Sequence, residues 1–223
     1  VFFPYKDDNP KVLYPFVTYS IIILNIIVFL FQFYVSGNNP NMGRSLILKF
    51  GFVPNNFNPM DIITSMFMHG GFGHIIGNMW FLYIFGDNIE SILGHIRFLN
   101  FYVFCGIAAT MTQFFIDSSS AIPMVGASGA IAGILGAYML KFPKAKVYVL
   151  AIIIFFITRL IVPARIVLGF WFLIQLSEGL NNIGINTTGG VAWFAHIGGF
   201  IFGIGTIRIF QTFRFKYNEE KTY

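Results

Sequence analysis

Long apolar runs dominate the chain, and short stretches rich in glycine, proline, asparagine and charged residues separate them. A helix needs about 20 consecutive apolar residues to cross the hydrocarbon core of a bilayer. The pattern therefore predicts an all-α, polytopic membrane protein with six membrane-spanning helices. The predicted spans cover approximately residues 15–35, 62–85, 98–116, 126–140, 164–180 and 191–210.

The six-helix membrane domain is placed at residues 15–210, and four segments lie outside the predicted spans. Residues 1–14 are polar and lack the features of a cleavable signal peptide, so the first span is expected to remain as a signal anchor. Residues 36–60 are a predicted loop because of their Gly, Pro and Asn content, although their apolar residues favour the membrane interface. Residues 147–163 are apolar and rich in β-branched residues but too short to cross, and we interpret them as interfacial. Residues 211–223 form a basic tail.

The composition supports a membrane protein. Of 223 residues, 56% are hydrophobic, 10% are charged and 29 are Phe, which is more apolar surface than one water-soluble core can bury. The formal net charge of +5 would suit a nucleic-acid binder, but the basic residues flank apolar runs, so nucleic acid is not an expected partner. Cys105 is the only cysteine, which excludes an intrachain disulfide, and it is expected to be a buried small hydrophobe.

The distribution of positive charge predicts an orientation. If the N-terminus is cytoplasmic, the cytoplasmic segments hold twelve of the fourteen Lys and Arg residues, and only Arg44 and Lys49 lie outside. This asymmetry favours six spans with both termini in the cytoplasm. The second, fourth and sixth spans then run from the outer to the inner side. We expect the membrane to be the cytoplasmic membrane of a prokaryote.

Small residues surround Ser128 at the start of the fourth predicted span, within Gly-Ala-Ser-Gly at residues 126–129. Small residues four apart, in this span and in the sixth, allow two membrane helices to approach closely. A soluble hydrolase with a nucleophile elbow would carry Gly-x-Ser-x-Gly, but Ala130 stands where the last glycine would be. The glycines expected to pack the helices at this site are Gly126, Gly129, Gly199 and Gly203.

Polar residues occur in the first half of the second, fourth and sixth spans, and we expect them to gather at one depth near the outer leaflet. Polar groups at membrane depth are costly, and they face a bundle interior or a watery cavity. For any one of them, an interhelical hydrogen bond is an alternative explanation. These residues are His69, His74, Asn78, Ser128 and His196.

Two of these residues can form a nucleophile and its base. A serine hydroxyl attacks an amide only when a base removes its proton, and Ser128 with His196 supplies that pair. His74 and Asn78 are four residues apart and share a helix face, so both could donate hydrogen bonds to an oxyanion, together with the Ser128 backbone N–H. His69 would point about 140° away from His74, so we do not place it among the residues that contact the substrate.

A metal site is the alternative use of three histidines. A zincin helix carries two histidines four apart with a glutamate beside the first, whereas His69 and His74 are five apart and Gly70 is the neighbour. Paired carboxylates for an aspartyl mechanism are absent, and we interpret Asp87 and Glu90 as part of a solvated turn. No phosphate-binding or dinucleotide motif occurs. We therefore predict neither a metal nor a cofactor.

The sequence resembles the rhomboid family of intramembrane serine proteases over about residues 15–210. Three motifs carry the resemblance, and they occur in order on the second, fourth and sixth spans. They are His-x4-His-x3-Asn at residues 69–78, Gly-x-Ser-Gly at residues 126–129 and Ala-His-x-x-Gly-x-x-x-Gly at residues 195–203.

The resemblance implies a Ser-His dyad that works without a metal or cofactor. It assigns Ser128 as the nucleophile, His196 as the general base, and His74 and Asn78 as oxyanion-stabilising side chains. One departure is that many members carry a Trp-Arg pair in the first outer loop, where this chain has Arg44 and no tryptophan.

Two functions of different class follow from the resemblance. The favoured one is an endopeptidase that cleaves single-pass membrane proteins in or near their transmembrane segment, on the outer side. The alternative is an inactive rhomboid-like protein that binds transmembrane helices without cutting them, although a pure binder has no need of Ser128 or His196. A small-solute transporter would show inverted repeats or matching broken helices, and none is seen.

Overall fold

Helices make up most of the chain in the computed structural model, which describes residues 2–10, 12–153, 156–183 and 190–211. Eight α-helices and three β-strands lie in these residues, so the structure is mostly helical. The helices are α1 Phe16–Asn38, α2 Pro40–Phe50, α3 Pro59–Thr64, α4 Phe72–Leu93, α5 His95–Ile116, α6 Ser128–Lys141, α7 Ala164–Asn181 and α8 Trp193–Phe210. The strands are β1 Phe2–Asp7, β2 Lys146–Ile153 and β3 Phe156–Pro163.

Three helices within the described residues are both long enough and apolar enough to cross a membrane, and they are α1, α5 and α8. They correspond to the first, third and sixth predicted spans. The count of six spans and the orientation of the termini stay predictions. The basic tail lies outside the described residues, apart from Gln211.

The predicted second span has wrong boundaries. Residues 59–64 form α3, which begins with Pro59 after an Asn58 side chain that caps the Met60 N–H at 3.2 Å. The chain then breaks around Gly70 and Gly71 before α4 begins. The end was also misplaced, because α4 continues through residues 86–88 and stops only at Gly94, whose φ of 74° favours glycine.

The predicted loop at residues 36–60 is also partly wrong, because much of it is helical. Asn39 accepts a hydrogen bond from the Met42 N–H at 3.1 Å, and Pro40 occupies the first turn of α2. An Asn cap followed by Pro is a typical start of a helix. A short 3-10 turn at Pro54–Asn56 and the start of α3 follow.

The all-α prediction is confirmed only in part, because the structure is mostly helical but its strands form a three-stranded antiparallel sheet in the order β1-β2-β3. The segment interpreted as interfacial is a β-hairpin, and the N-terminal strand β1 pairs with its first strand. Alternate residues of β2 are buried, namely Val147, Val149 and Ala151. A run of β-branched residues with one buried face suits a strand, and β1 supplies the pairing that no local pattern reveals.

Asp87 and Glu90 are not in a solvated turn, because both are buried within α4. The Glu90 carboxylate accepts hydrogen bonds from the backbone N–H groups of Val17 and Thr18, each at 2.8 Å, and from the Thr18 hydroxyl at 2.6 Å. These N–H groups belong to the first turn of α1, where helices leave donors without intrahelical partners. His95 Nδ1 lies 2.6 Å from the same carboxylate.

A second set of buried polar groups lies near the ends of α4 and α6. Asp7 Oδ2 accepts hydrogen bonds from the Tyr138 hydroxyl at 2.5 Å and from Asn88 Nδ2 at 2.9 Å. We call Asp7, Asn88, Glu90 and Tyr138, with their hydrogen-bond partners, the basal network. It holds α1 and β1 against α4 and α6.

Helices α6 and α8 pack through glycine. A Cβ on Gly199 would overlap the Gly129 carbonyl oxygen, and one on Gly203 would overlap the Gly133 carbonyl oxygen. The backbones are therefore as close as the small-residue pattern predicts. Cys105 is buried beside Gly133, as expected for a small hydrophobe.

Candidate active site

The N-terminal ends of α4, α6 and α8 lie together and carry the polar residues singled out in the sequence. Ser128 is the first residue of α6, and His196 is in the first turn of α8. His196 Nε2 lies 2.8 Å from Ser128 Oγ. This is hydrogen-bond distance between a hydroxyl and a potential base. The glycine contacts between the two helices bring these side chains within reach of one another.

Gln175 on α7 occupies the other side of the His196 ring. Its Oε1 lies 2.6 Å from His196 Nδ1, and the side chain is buried. An amide oxygen can only accept, so Nδ1 carries the proton and Nε2 is free to accept from Ser128. The rings of Trp171 and Trp193 lie 5.9 and 6.2 Å from the imidazole centroid.

Sequence reasoning missed Gln175. A signal was present, since a glutamine inside the apolar run of residues 164–180 is a costly polar group at membrane depth.

His74 and Asn78 lie on α4, opposite the dyad and close to the start of α6. A Cβ on Gly126 would lie 2.6 Å from His74 Nε2 and 3.4 Å from Asn78 Nδ2. Gly126 has a φ of 115°, a conformation that favours glycine, so both the backbone geometry and the available space require this residue. The prediction that His74 and Asn78 share a helix face agrees with this placement.

Hydrogen bonds define which ring nitrogen of His74 carries the proton. The Gly70 backbone N–H points to His74 Nδ1 at 3.4 Å, so Nδ1 accepts. Neutral His74 then carries its proton on Nε2, which faces Gly126. One amide hydrogen of Asn78 is available on the same side, near Gly126. The other is directed at His69 Nε2, which lies 3.0 Å from Asn78 Nδ2.

His69 lies in the segment before α4 rather than on the helix, so its expected direction of about 140° from His74 does not apply. It is fully buried behind Asn78. Its Nδ1 lies 3.3 Å from the Phe67 carbonyl oxygen, which leaves Nε2 as the acceptor for Asn78. Gln32 on α1 fixes the His69 backbone, with Nε2 donating to the His69 carbonyl oxygen at 2.6 Å.

The Ser128 backbone N–H lies in the first turn of α6, where such groups have no intrahelical partner. The positive end of the helix dipole is at the same place. Three kinds of donor therefore occur near the start of α6, namely this N–H, the His74 Nε2–H and the Asn78 amide, and His74 and Asn78 line the same cavity as Ser128.

A cavity of about 1270 Å³ adjoins these groups. It is lined by parts of α4, α6, α7 and α8 and by residues 117–125 between α5 and α6. His69 does not line it. The lining side chains include His74, Asn78, Gln113, Ser120, Ser128, Trp171, Gln175 and His196.

No group of three His, Cys, Asp or Glu side chains that could hold a metal ion occurs in the part of the chain that the structure describes. The histidines of the site are instead bonded to Ser128, Gln175, Asn78 and backbone groups. The absence of a metal or cofactor stays a prediction.

The fold and site define an integral membrane protein with a serine and a histidine in contact beside a cavity that several polar side chains help to line. A family model described as the Rhomboid domain matches residues 56–212, which is more than half of the chain. The chain belongs to the rhomboid family.

The curated relatives include bacterial and mitochondrial proteins. Rhomboid protein 1, mitochondrial, of Saccharomyces cerevisiae is 29% identical over 212 residues, covering 91% of this chain and 54% of that protein. Rhomboid protease GluP of Bacillus subtilis is 30% identical over 175 residues, covering 76% and 32%. Presenilin-associated rhomboid-like protein A, mitochondrial, of Danio rerio is 32% identical over 110 residues, covering 48% and 29%. The chain thus spans less than two thirds of the length of these relatives.

Proposed function

We propose that this chain is an intramembrane serine endopeptidase that cleaves its substrates in or near a transmembrane segment. The observation that carries the proposal is the 2.8 Å contact between Ser128 Oγ and His196 Nε2 at the edge of the cavity. Family membership supports it. Hydrogen-bond donors at the start of α6 could stabilise an oxyanion formed when Ser128 attacks a carbonyl, and a purely structural hydrogen bond between two helices would not need such donors.

In the first step Ser128 Oγ attacks the carbonyl carbon of the scissile peptide bond. His196 Nε2 takes the hydroxyl proton as the Oγ–C bond forms, and the carbonyl oxygen becomes an oxyanion. The imidazolium then gives this proton to the departing amine nitrogen as the C–N bond breaks. The result is an acyl ester on Ser128 and a free amine product.

The oxyanion lies among donors that are already in place. His74 Nε2–H, the Asn78 amide and the Ser128 N–H each supply a hydrogen bond, and the start of α6 adds the favourable end of a helix dipole. Because these donors are fixed by Gly70, His69 and the helix backbone, little reorganisation is needed as charge develops.

Water completes the cycle. It attacks the acyl carbon while His196 Nε2 accepts its proton. The imidazolium then gives this proton to Ser128 Oγ as the ester C–O bond breaks, which releases a carboxylic acid and restores the hydroxyl. The cavity, with its polar side chains near Ser128, provides a place for this water inside an apolar protein. No step needs a metal or cofactor.

The proposal includes a topology and a class of substrate. Six spans with both termini in the cytoplasm place the dyad toward the outer leaflet, which is supported by the distribution of Lys and Arg. Single-pass membrane proteins are the proposed substrates, with no role for nucleic acid. The bacterial relative GluP supports a prokaryotic cytoplasmic membrane, whereas the yeast and zebrafish relatives carry a mitochondrial designation.

Proteolysis in reconstituted liposomes tests the proposal. Wild-type protein should cleave a single-pass test substrate, while Ser128→Ala and His196→Ala should be inactive but keep the thermal stability of a folded protein. Ser177→Ala is the matched control, because Ser177 is an exposed serine on α7 and should retain activity. Substrate binding without cleavage by wild-type protein, unchanged in both dyad variants, would instead support the inactive helix-binding function.

A further inference from the structure

Gln175 reaches the imidazole of His196 from a third helix. The contact joins α7 to α8 at a distance of 2.6 Å between Oε1 and Nδ1, and both side chains are buried. Within the described residues, the two nitrogens of His196 therefore have separate partners, Gln175 for Nδ1 and Ser128 for Nε2.

The protonation pattern decides whether this histidine can act as a base. A neutral imidazole carries one proton, and the nitrogen that holds it cannot accept another. If the proton were on Nε2, that atom could not take a proton from Ser128. An acceptor beside Nδ1 keeps the proton there, and Gln175 Oε1 is that acceptor.

Two tryptophan rings pack against the His196 imidazole and restrict its orientation. Trp171 lies one turn before Gln175 on the same face of α7, and its ring lies 5.9 Å from the imidazole centroid. Trp193 meets the imidazole edge to face, at an interplanar angle of 89°. The two indoles restrict the plane of the imidazole, but a 180° flip about the Cβ–Cγ bond keeps that plane and would put ring carbons where Nδ1 and Nε2 lie. Only a directional hydrogen bond distinguishes the two orientations.

We propose that Gln175 is a positioning residue that holds His196 in the orientation and tautomer required to accept the Ser128 proton. The inference rests on the proposed function of the dyad. Gln175 would then be the third member of the site, in the role that a carboxylate has in a Ser-His-Asp triad. A carboxylate would add a buried negative charge, which is costly at membrane depth, whereas the amide is uncharged. Because an amide carries no net charge, it orients the ring without strongly stabilising the imidazolium.

The alternative is that Gln175 only joins α7 to α8. Such a bond would contribute to the free energy of unfolding and leave the reactivity of Ser128 in folded molecules unchanged. Two measurements separate these roles, the rate at which a fluorophosphonate probe labels Ser128 and the ¹⁵N signals of His196. The final extent of labelling counts the folded sites, so the rate is obtained per site.

Three substitutions of Gln175 give the comparison. Gln175→Leu keeps the approximate size and removes the acceptor, and it should lower the labelling rate about 10- to 100-fold. Gln175→Asn keeps the amide but withdraws it by one methylene, so it should behave like leucine. Gln175→Glu restores an oxygen at the original reach and should recover most of the rate lost with leucine. Asn25→Leu is the control, because it replaces a buried amide on α1 that bonds the Ile21 carbonyl within its own helix.

Nitrogen NMR of histidine-labelled protein reports the tautomer without requiring catalysis. His196, assigned by comparison with His196→Ala, should show a protonated Nδ1 and an unprotonated Nε2 in wild type, and a mixture of both tautomers in Gln175→Leu. A single, unchanged tautomer together with an unchanged labelling rate in Gln175→Leu would overturn the inference. If wild-type Ser128 is not labelled at all, the proposed function fails, while the tautomer comparison still decides the role of Gln175.

Discussion

Two regions of this protein bury polar groups, and they use them differently. In the basal network the Glu90 carboxylate is saturated, since it receives three hydrogen bonds from α1 and contacts His95. Near the start of α6, by contrast, His74 and Asn78 use only some of their hydrogen-bonding groups. Within the described part of the chain, neither His74 Nε2 nor the second amide hydrogen of Asn78 has a hydrogen-bond partner, and both are next to the cavity.

This difference separates groups that stabilise a fold from groups available for chemistry. A buried polar group whose hydrogen bonds are all used contributes to stability, and removing its partner is costly. A polar group held rigidly with one donor left over is arranged for a ligand or a transition state. The substitutions below therefore should affect stability at one end of the bundle and turnover at the other.

The largest effect is expected from Gly199→Val, because the new side chain would overlap the Gly129 carbonyl oxygen and push α8 away from α6. Both thermal stability in detergent and cleavage should be lost, since the same contact brings His196 to Ser128. Gly205→Val on the same helix is the control, because nothing lies within 4 Å of a Cβ at that position. Full activity of Gly199→Val would show that close packing of α6 and α8 is not what holds the dyad.

Glu90→Ala should mainly reduce stability. Three donors at the start of α1 lose their acceptor, and the expected decrease in the free energy of unfolding is roughly 3–5 kcal/mol. Chemical denaturation in mixed micelles measures it, with Glu178→Ala on the exposed face of α7 as the control. Cleavage per labelled Ser128 should stay near the wild-type value, and a large drop in that ratio would remove the distinction between the two regions.

Asn78→Ala should show the opposite behaviour. Loss of one oxyanion donor typically lowers kcat about 10²–10³-fold with little change in KM. The decrease could be smaller here because His74 and the Ser128 N–H still contact the oxyanion. Asn88→Ala is the matched control, since it removes an asparagine from the basal network and should reduce stability with normal kcat per labelled site. A normal kcat in Asn78→Ala would end its assignment as an oxyanion donor.

The smallest effect concerns the pH dependence of stability at Asp7. Burial, with added repulsion from Asp87 and Asp8, raises the pKa of Asp7 from 3.8 to about 6, despite the hydrogen bond from Tyr138. The folded protein then holds this proton more tightly than the unfolded chain. Its stabilising contribution is complete below about pH 4 and is lost as the pH rises through about 6.

Asp7→Asn should remove that slope, by an amount on the order of 1 kcal/mol after allowance for partial exposure of the carboxyl. Thermal shift assays from pH 4 to 7 measure the difference between wild type and variant. Asp8→Asn, which removes only the smaller repulsion from an exposed neighbour, should keep most of the slope. Parallel curves for wild type and Asp7→Asn would show that Asp7 titrates alike in the folded and unfolded chain.

Most of the candidate site could be predicted from the sequence, because the helix face of a residue and its depth in a membrane span depend only on local spacing. His74 and Asn78 are four apart, and Ser128 and His196 occur at corresponding depths of small-residue helices, so their meeting could be expected. Gln175 could not be placed in the same way. Its contact with His196 depends on how α7 is rotated. In the structure α7 buries a single face that carries Gln175, but apolar residues such as Phe170 and Leu173 also occupy its exposed face, so the apolar pattern alone indicates no preferred face.

The sheet and the basal network were missed for a different reason. Residues 147–163 form a short apolar run, which periodicity alone does not assign to a strand, and its partner β1 is about 140 residues away in the chain. Glu90 looked like a solvated residue because its partners are backbone N–H groups of α1, which no side-chain pattern displays. Long-range pairing and backbone donors are invisible to an analysis of local spacing.

Covalent labelling of purified protein by a fluorophosphonate probe tests the central claim most directly. The proposed function predicts labelling of wild-type protein at Ser128 alone, mapped by mass spectrometry, with no labelling of Ser128→Ala and a greatly reduced rate for His196→Ala. Labelling that persists in Ser128→Ala, or a wild-type protein that stays unlabelled while folded, would contradict Ser128 as the nucleophile.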